Sequence, residues 1–266
     1  MKKSFPLFDH CLDAPSTFSP EALVQAVRTQ KKLEVHPIPQ VCVLDFDGDL
    51  TDWLVATGAI QPFRSWACFH TTMFSLDVDG ITYGIVPRTI GGPYAVLVAE
   101  QMAISGARLA LGLTSAGRVA NAMPVPGLVS VTGAVRDEGT SYHYLPPSEV
   151  VNAPPDVAKL LELELGGLSL PVLSGTVWTT DAPYRETESQ LSSHARDGVL
   201  AVEMQAASLF AFSVARRFPV GIVAYVTNGS KTVESFDKGS NLLEFEILKR
   251  MCRAGHRFLL DHDMPK

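Results

Sequence analysis

The chain has 266 residues, 46% of them hydrophobic and 19% charged, with a formal net charge of −6. This apolar share supports a sizeable core and excludes a disordered or fibrous chain, while the acidic balance and the lack of a long Lys/Arg run argue against nucleic acid and membrane surfaces as partners. No apolar stretch reaches the ~20 residues of a bilayer span. Asp9, His10 and Asp13 interrupt any signal-peptide core, and Cys11, Cys42, Cys68 and Cys252 lack metal-ligand spacing. A reduced, cytoplasmic protein without a metal is expected.

In chain order, Ser19 caps a predicted helix running to about Lys32, with Pro20 in its first turn. Val41–Phe46 is too short for a helix and reads as a buried strand, followed by the acidic turn Asp47-Gly48-Asp49. Phe69–Leu76 and Ile81–Val86 read as strands flanking Asp77-Val78-Asp79-Gly80. Gly91-Gly92-Pro93 opens a helix to about Gly106, and Leu109–Leu113 is a strand ending in a turn at Thr114-Ser115-Ala116-Gly117-Arg118. The strand Leu128–Val135 leads into a polar loop, Arg136 to Pro147, and a helix from Asn152 to about Leu165. The strands Val172–Trp178, Val199–Val202 and Val220–Val226 then alternate with helices over Glu186–Arg196, Glu203–Arg217 and Glu234–Cys252.

Continuous apolar strands alternating with helices predict a mostly parallel, twisted sheet covered on both faces: an α/β fold in a single domain. The expected division is an N-terminal extension with one helix over 1–40, the α/β domain over 41–255 and a tail over 256–266.

Two stretches invite a chemical reading. Asp45-Phe46-Asp47-Gly48 after a strand resembles the first motif of haloacid-dehalogenase-type phosphatases, in which Asp45 would attack phosphorus and Asp47 act as acid/base with Mg²⁺. Here the usual Thr is Asp49, and no later Gly-Asp-x-x-x-Asp follows. Arg88-Thr89-Ile90-Gly91-Gly92-Pro93 joins a cation to glycines at a helix N-terminus, a pattern that suits an anion.

Five further segments share one resemblance. They are Ile90-Gly91-Gly92-Pro93-Tyr94, Leu113-Thr114-Ser115-Ala116-Gly117, the run from Arg136 to Pro147, the run from Thr179 to Thr187, and Val202-Glu203-Met204-Gln205-Ala206-Ala207. Together they resemble the purine and uridine nucleoside phosphorylases, from about Val41 to Arg253. The resemblance implies a mixed, distorted sheet barrel flanked by helices, homo-oligomers from dimer to hexamer, and cleavage of a nucleoside N-glycosidic bond. It implies a phosphate co-substrate and no cofactor. The site residues it implies are Gly48, Arg88, Ser115, Gly117, Tyr184, Arg185, Glu203, Met204 and Gln205, with Arg88, Asn228 and Asp47 at the reacting centre.

Four features depart from the family pattern. Gln205 stands where a ribose-binding Glu is usual, and Asn228 where purine-cleaving relatives carry a proton-donating Asp. The phosphate loop Gly-Asp-Pro-x-x-Arg is here Gly48-Asp49-Leu50-Thr51-Asp52, and the usual Arg on the next strand is Gly112. Arg88 is expected to supply the missing cation, with Arg64, Arg118 or Arg136 assisting. The alternatives are hydrolysis with water activated by Asp47 or Asp49, a non-catalytic nucleoside-binding protein, and the Mg²⁺-dependent phosphatase.

Overall fold

The computed structural model describes residues 5–9, 11–229 and 239–262. The expected start of the last helix at Glu234 lies outside them. Among the described residues the order is α1 (Pro20–Lys31), β1 (Val41–Asp45), α2 (Asp49–Ala56), β2 (Gln61–Pro62), β3 (Phe74–Val78), β4 (Ile81–Pro87), α3 (Gly92–Ile104) and β5 (Leu109–Arg118). Then come β6 (Gly127–Asp137), β7 (Val150–Asn152), α4 (Pro155–Leu165), β8 (Val172–Thr180), α5 (Glu188–Arg196), β9 (Ala201–Glu203), α6 (Ala206–Arg216), β10 (Val220–Gly229) and α7 (Asn241–His262).

Five strands close on themselves. β5 pairs with β10 in parallel, β10 with β6 antiparallel, β6 with β8 and β8 with β9 in parallel, and β9 returns antiparallel to β5. From this ring an open wing extends through β1 and β4, both parallel, to the antiparallel β3 and β2. The longest ladders are parallel, as continuous apolar strands require. The result is a mixed α/β sheet forming a distorted barrel flanked by helices.

Each central strand splits its side chains between two cores, because successive residues point to opposite faces. On β1, Cys42 and Leu44 join one core with residues of α3 and α6, among them Val98, Met102, Leu209 and Phe210. Val41 and Val43 join the other with Leu161 of α4 and Ile247 and Met251 of α7. β5 and β10 alternate in the same way. The sheet is therefore sandwiched between α3/α6 and α4/α7, and no helix is long and apolar enough to cross a membrane among the described residues.

Three local expectations are corrected. The acidic turn after β1 is instead the start of helix α2. Gly48, at φ 85°, caps it, and the buried Asp45 carboxylate accepts from Thr51 N at 2.9 Å and Thr51 Oγ1 at 2.6 Å. Thr114–Arg118 is not a turn: β5 continues through it, paired with β10 on one side and β9 on the other. The last helix runs past Cys252 to His262, through residues expected to be tail.

Candidate active site

The adjoining ends of β10, β5 and β9 form the floor of a cleft. Gly117 lies between Asn228 on β10 and Val202 on β9. A Cβ on Gly117 would meet Val202 Cγ1 at 3.2 Å, so a small residue keeps these strands together here. A register shift between Val226 and Asn228 re-aims the end of β10 toward the cleft. The cavity encloses about 270 Å³ and is lined by Asp47, Ser115, Gly117, Glu186, Met204, Gln205 and Asn228, among others. That is near the lower end of the ~300–1,000 Å³ typical of small-molecule sites. A narrower acidic recess lined by Asp45, Asp47, Asp49 and Glu244 opens beside it.

Glu203 closes β9 and is 4% exposed. Its Oε2 accepts from the backbone N–H groups of Gln205 at 2.6 Å and Ala206 at 2.9 Å, and its Oε1 accepts from the Thr179 hydroxyl. Thr179 Oγ1 in turn accepts from Ala207 N at 2.9 Å. Glu203 thus caps α6 and fixes the turn that presents Met204 and Gln205. Burial pushes its carboxyl up to about 7, against the pull of those three donors. Gln205 is also buried. Its Oε1 accepts from Thr114 Oγ1 and Met204 N, both at 3.2 Å, and its Nε2 donors take no part in these bonds.

Asp47 reaches the cleft from the β1–α2 loop, where its Oδ2 accepts from Ser115 N at 3.2 Å. Asn228 Nδ2 donates to Thr227 Oγ1 at 3.0 Å. Glu186, at the C-terminal edge of the short turn Pro183–Arg185, is half-buried, and loss of hydration raises its carboxyl above the ordinary range.

Other expected site residues lie elsewhere. Arg88 follows β4, takes φ 57° and donates its backbone N–H to Asp45 O at 2.9 Å. Its side chain crosses Gly48 and holds both oxygens of Asp52, beside a separate cavity lined by Thr71, Thr72 and Tyr94. Tyr184 is 99% exposed. Arg185 is exposed and borders a second cavity, with Trp178 and Asp137, that Glu186 also lines. Arg136 is buried and spent on structure: its guanidinium donates to Ser141, Ser148 and the carbonyls of Leu145 and Pro146. Arg64 is exposed, and Arg118 ends β5 opposite Ala201.

The glycine turn before α3 is explained by packing. A Cβ on Gly92 would lie 2.0 Å from Ser208 Oγ, so Gly92 lets α3 and α6 meet. Asp45, the would-be phosphatase nucleophile, is occupied in capping α2. Glu186 and Asp52 are the informative residues that sequence reasoning left aside. The first lies inside the Thr179–Thr187 run, and the second stands one residue before the place of the missing Arg, which Trp53 takes.

A groove of about 610 Å³ between α1 and α3 holds none of the expected site residues. A family model for the phosphorylase superfamily matches residues 40–251. The guanosine phosphorylase of Halorubrum lacusprofundi is 31% identical over 166 residues, covering 61% of this chain and 67% of that protein. A protein of Acanthamoeba polyphaga mimivirus named "Uncharacterized protein R802" is 25% identical over 127 residues, covering 48% of this chain and 49% of its own length. The matched span contains every strand from β1 to β10, the closed ring and the whole cleft. The chain belongs to the phosphorylase superfamily.

Proposed function

We propose that the protein cleaves the N-glycosidic bond of a nucleoside, with phosphate as the attacking group. The observation carrying this reading is the convergence of Asp47, Ser115, Glu186, Met204, Gln205 and Asn228 on one cleft. In such a cleavage the C1′–N bond breaks with its electron pair leaving on the base. A phosphate oxygen then bonds to C1′ through an oxocarbenium-like transition state. Held reactants and placed dipoles supply the rate enhancement.

Met204 and Gln205 suit the sugar. The thioether offers an apolar surface, and an amide donates to a hydroxyl oxygen without adding charge. Glu186 and Asn228 suit a base presenting a ring N–H beside a carbonyl: the carboxylate accepts from the N–H and the amide donates to the oxygen. A 6-oxopurine and a uracil both have this edge, and the likeness to the guanosine phosphorylase of Halorubrum lacusprofundi favours the purine. The raised carboxyl of Glu186 also lets it share a proton with the departing base. Ser115 lines the nucleophile's side of the cleft, and Arg88 lies outside the lining, against the neighbouring Gly48. No cofactor other than phosphate enters this reading, which includes a cytoplasmic homo-oligomer of two to six copies.

Hydrolysis is the second reading, favoured by one observation: Arg88 is already paired with Asp52. Asp47, anchored by Ser115 N, is then the base that activates water. One experiment separates the two. Guanosine, inosine, adenosine and uridine are incubated with and without phosphate, and products are assayed. Phosphate-dependent ribose-1-phosphate supports the first reading and free ribose the second. Absence of both products across the panel rejects nucleoside cleavage.

A further inference from the structure

Arg88 and Asp52 face each other across the first turn of α2. Nη1 donates to Oδ1 at 3.0 Å and Nη2 donates to Oδ2, so both tines of the guanidinium fork are filled. Two backbone features impose the pairing. Arg88 sits in the left-handed region and is tied to the Asp45 carbonyl, which throws its side chain across Gly48. An added Cβ at Gly48 would lie 2.5 Å from Arg88 Cγ and 3.3 Å from Nη1. Asp52 is presented by α2, whose N-terminus is fixed by the Asp45 carboxylate through Gly48 and Thr51.

The guanidinium therefore bridges Gly48, next to the Asp47–Ser115 edge of the cleft, and Asp52 on its outer side. The side chains remain 56% and 58% exposed. An exposed ion pair is held weakly. A phosphate dianion at the same fork brings two charge-assisted hydrogen bonds and twice the charge. Carboxylate and phosphate are competing ligands for one cation.

We propose that Asp52 sets nucleophile specificity: by occupying Arg88 it opposes phosphate, which enters only when the pair opens. This rests on the phosphorolytic reading above and adds to it a residue that acts through Arg88 rather than on substrate. Asp52 is a positioning residue in this scheme. Its removal changes phosphate affinity without touching the nucleoside side of the cleft.

The test measures inorganic phosphate binding by titration calorimetry, and the phosphate and nucleoside KM values, for wild type, Asp52→Asn and Asp52→Ala. Asp197→Asn, which removes an exposed charge at the end of α5, serves as the charge control. Both Asp52 variants are expected to bind phosphate about threefold to tenfold more tightly. Phosphate KM should fall in parallel, nucleoside KM should stay within about twofold, and Asp52→Asn in an Arg88→Ala background should give no gain. The proposal is overturned if neither Asp52 variant gains phosphate affinity, or if Asp197→Asn gains as much. Tighter phosphate binding by Asp52→Asn in a protein that cleaves no nucleoside would uphold the competition and reject the activity. Phosphorolysis with unchanged phosphate affinity would do the reverse.

Discussion

The ring of Phe46 occupies the space into which any side chain at Gly112 would project: a Cβ there would lie 2.7 Å from Cε2 and 2.8 Å from Cζ of that ring. Phe46 is fully buried, so it has nowhere to retreat. Gly112→Ala should therefore cost about 1–3 kcal/mol of stability by overpacking. Urea denaturation checks this, and Phe46→Leu should recover part of the loss. Restoring the family arginine at 112 should fail to fold rather than rebuild a phosphate site.

Glu203 gives the protein a defined pH dependence. Burial raises its carboxyl from an ordinary 4.5 to about 7 in the folded state. Between those values the native protein binds more protons than the unfolded chain, so this residue's contribution to stability falls as pH rises through that window and levels off above it. At ~1.4 kcal/mol per unit, the span is on the order of 3 kcal/mol. Thermal melts across the window should show Tm declining toward neutrality, and Glu203→Gln should flatten that slope. Glu203→Ala strands the amides of Gln205 and Ala206 and should cost about 1–3 kcal/mol at any pH.

Glu186 should govern the base rather than the nucleophile. Glu186→Ala should lower kcat/KM for guanosine and inosine roughly tenfold to a hundredfold, the value of one charge-assisted hydrogen bond. Phosphate KM should not move. Equal loss against all four nucleosides of the panel would assign Glu186 to folding instead.

Arg88→Ala should raise phosphate KM roughly tenfold to a hundredfold while nucleoside KM changes little. If turnover is independent of phosphate, Asp47→Asn becomes the deciding variant. Loss of cleavage then identifies Asp47 as the base for water, and full activity removes it from the reaction.

Much of this architecture was legible in the chain itself. β1 and the β10 core are unbroken apolar runs, and such runs identify buried strands whatever surrounds them. α1 has a Ser cap and a first-turn proline, and the structure shows Ser19 Oγ accepting from Ala22 N at 3.3 Å. α2 was illegible because its start is set by a side chain of the preceding strand: the Asp45 carboxylate, read as the end of β1, turns forward to accept from Gly48 and Thr51. β5 was cut short because Thr, Ser and Gly read as a turn. Flanking strands on both sides override that propensity.

The site was legible in its residue types and less so in their duties. Met204, Gln205, Ser115 and Asn228 do meet at one cleft. Glu203 reads as a ligand contact in the sequence, yet its oxygens serve α6. Arg88 reads as a free cation beside glycines, yet Asp52 holds it. For Arg88 the deciding partner comes from another element, and no local pattern announces a partner reached through space.

Ring closure depends on β9, which spans only Ala201–Glu203 and joins β8 to β5. The residue ending that link also anchors the turn bearing Met204 and Gln205. Assembly of the Met204–Gln205 side of the cleft and completion of the barrel therefore share one anchor, Glu203. Amide protons at Ala206 and Ala207 should exchange with solvent only through global opening, at the rate of the barrel core and not of a surface loop. Loss of activity on heating should then coincide with loss of the fold, with no inactive yet folded state between them.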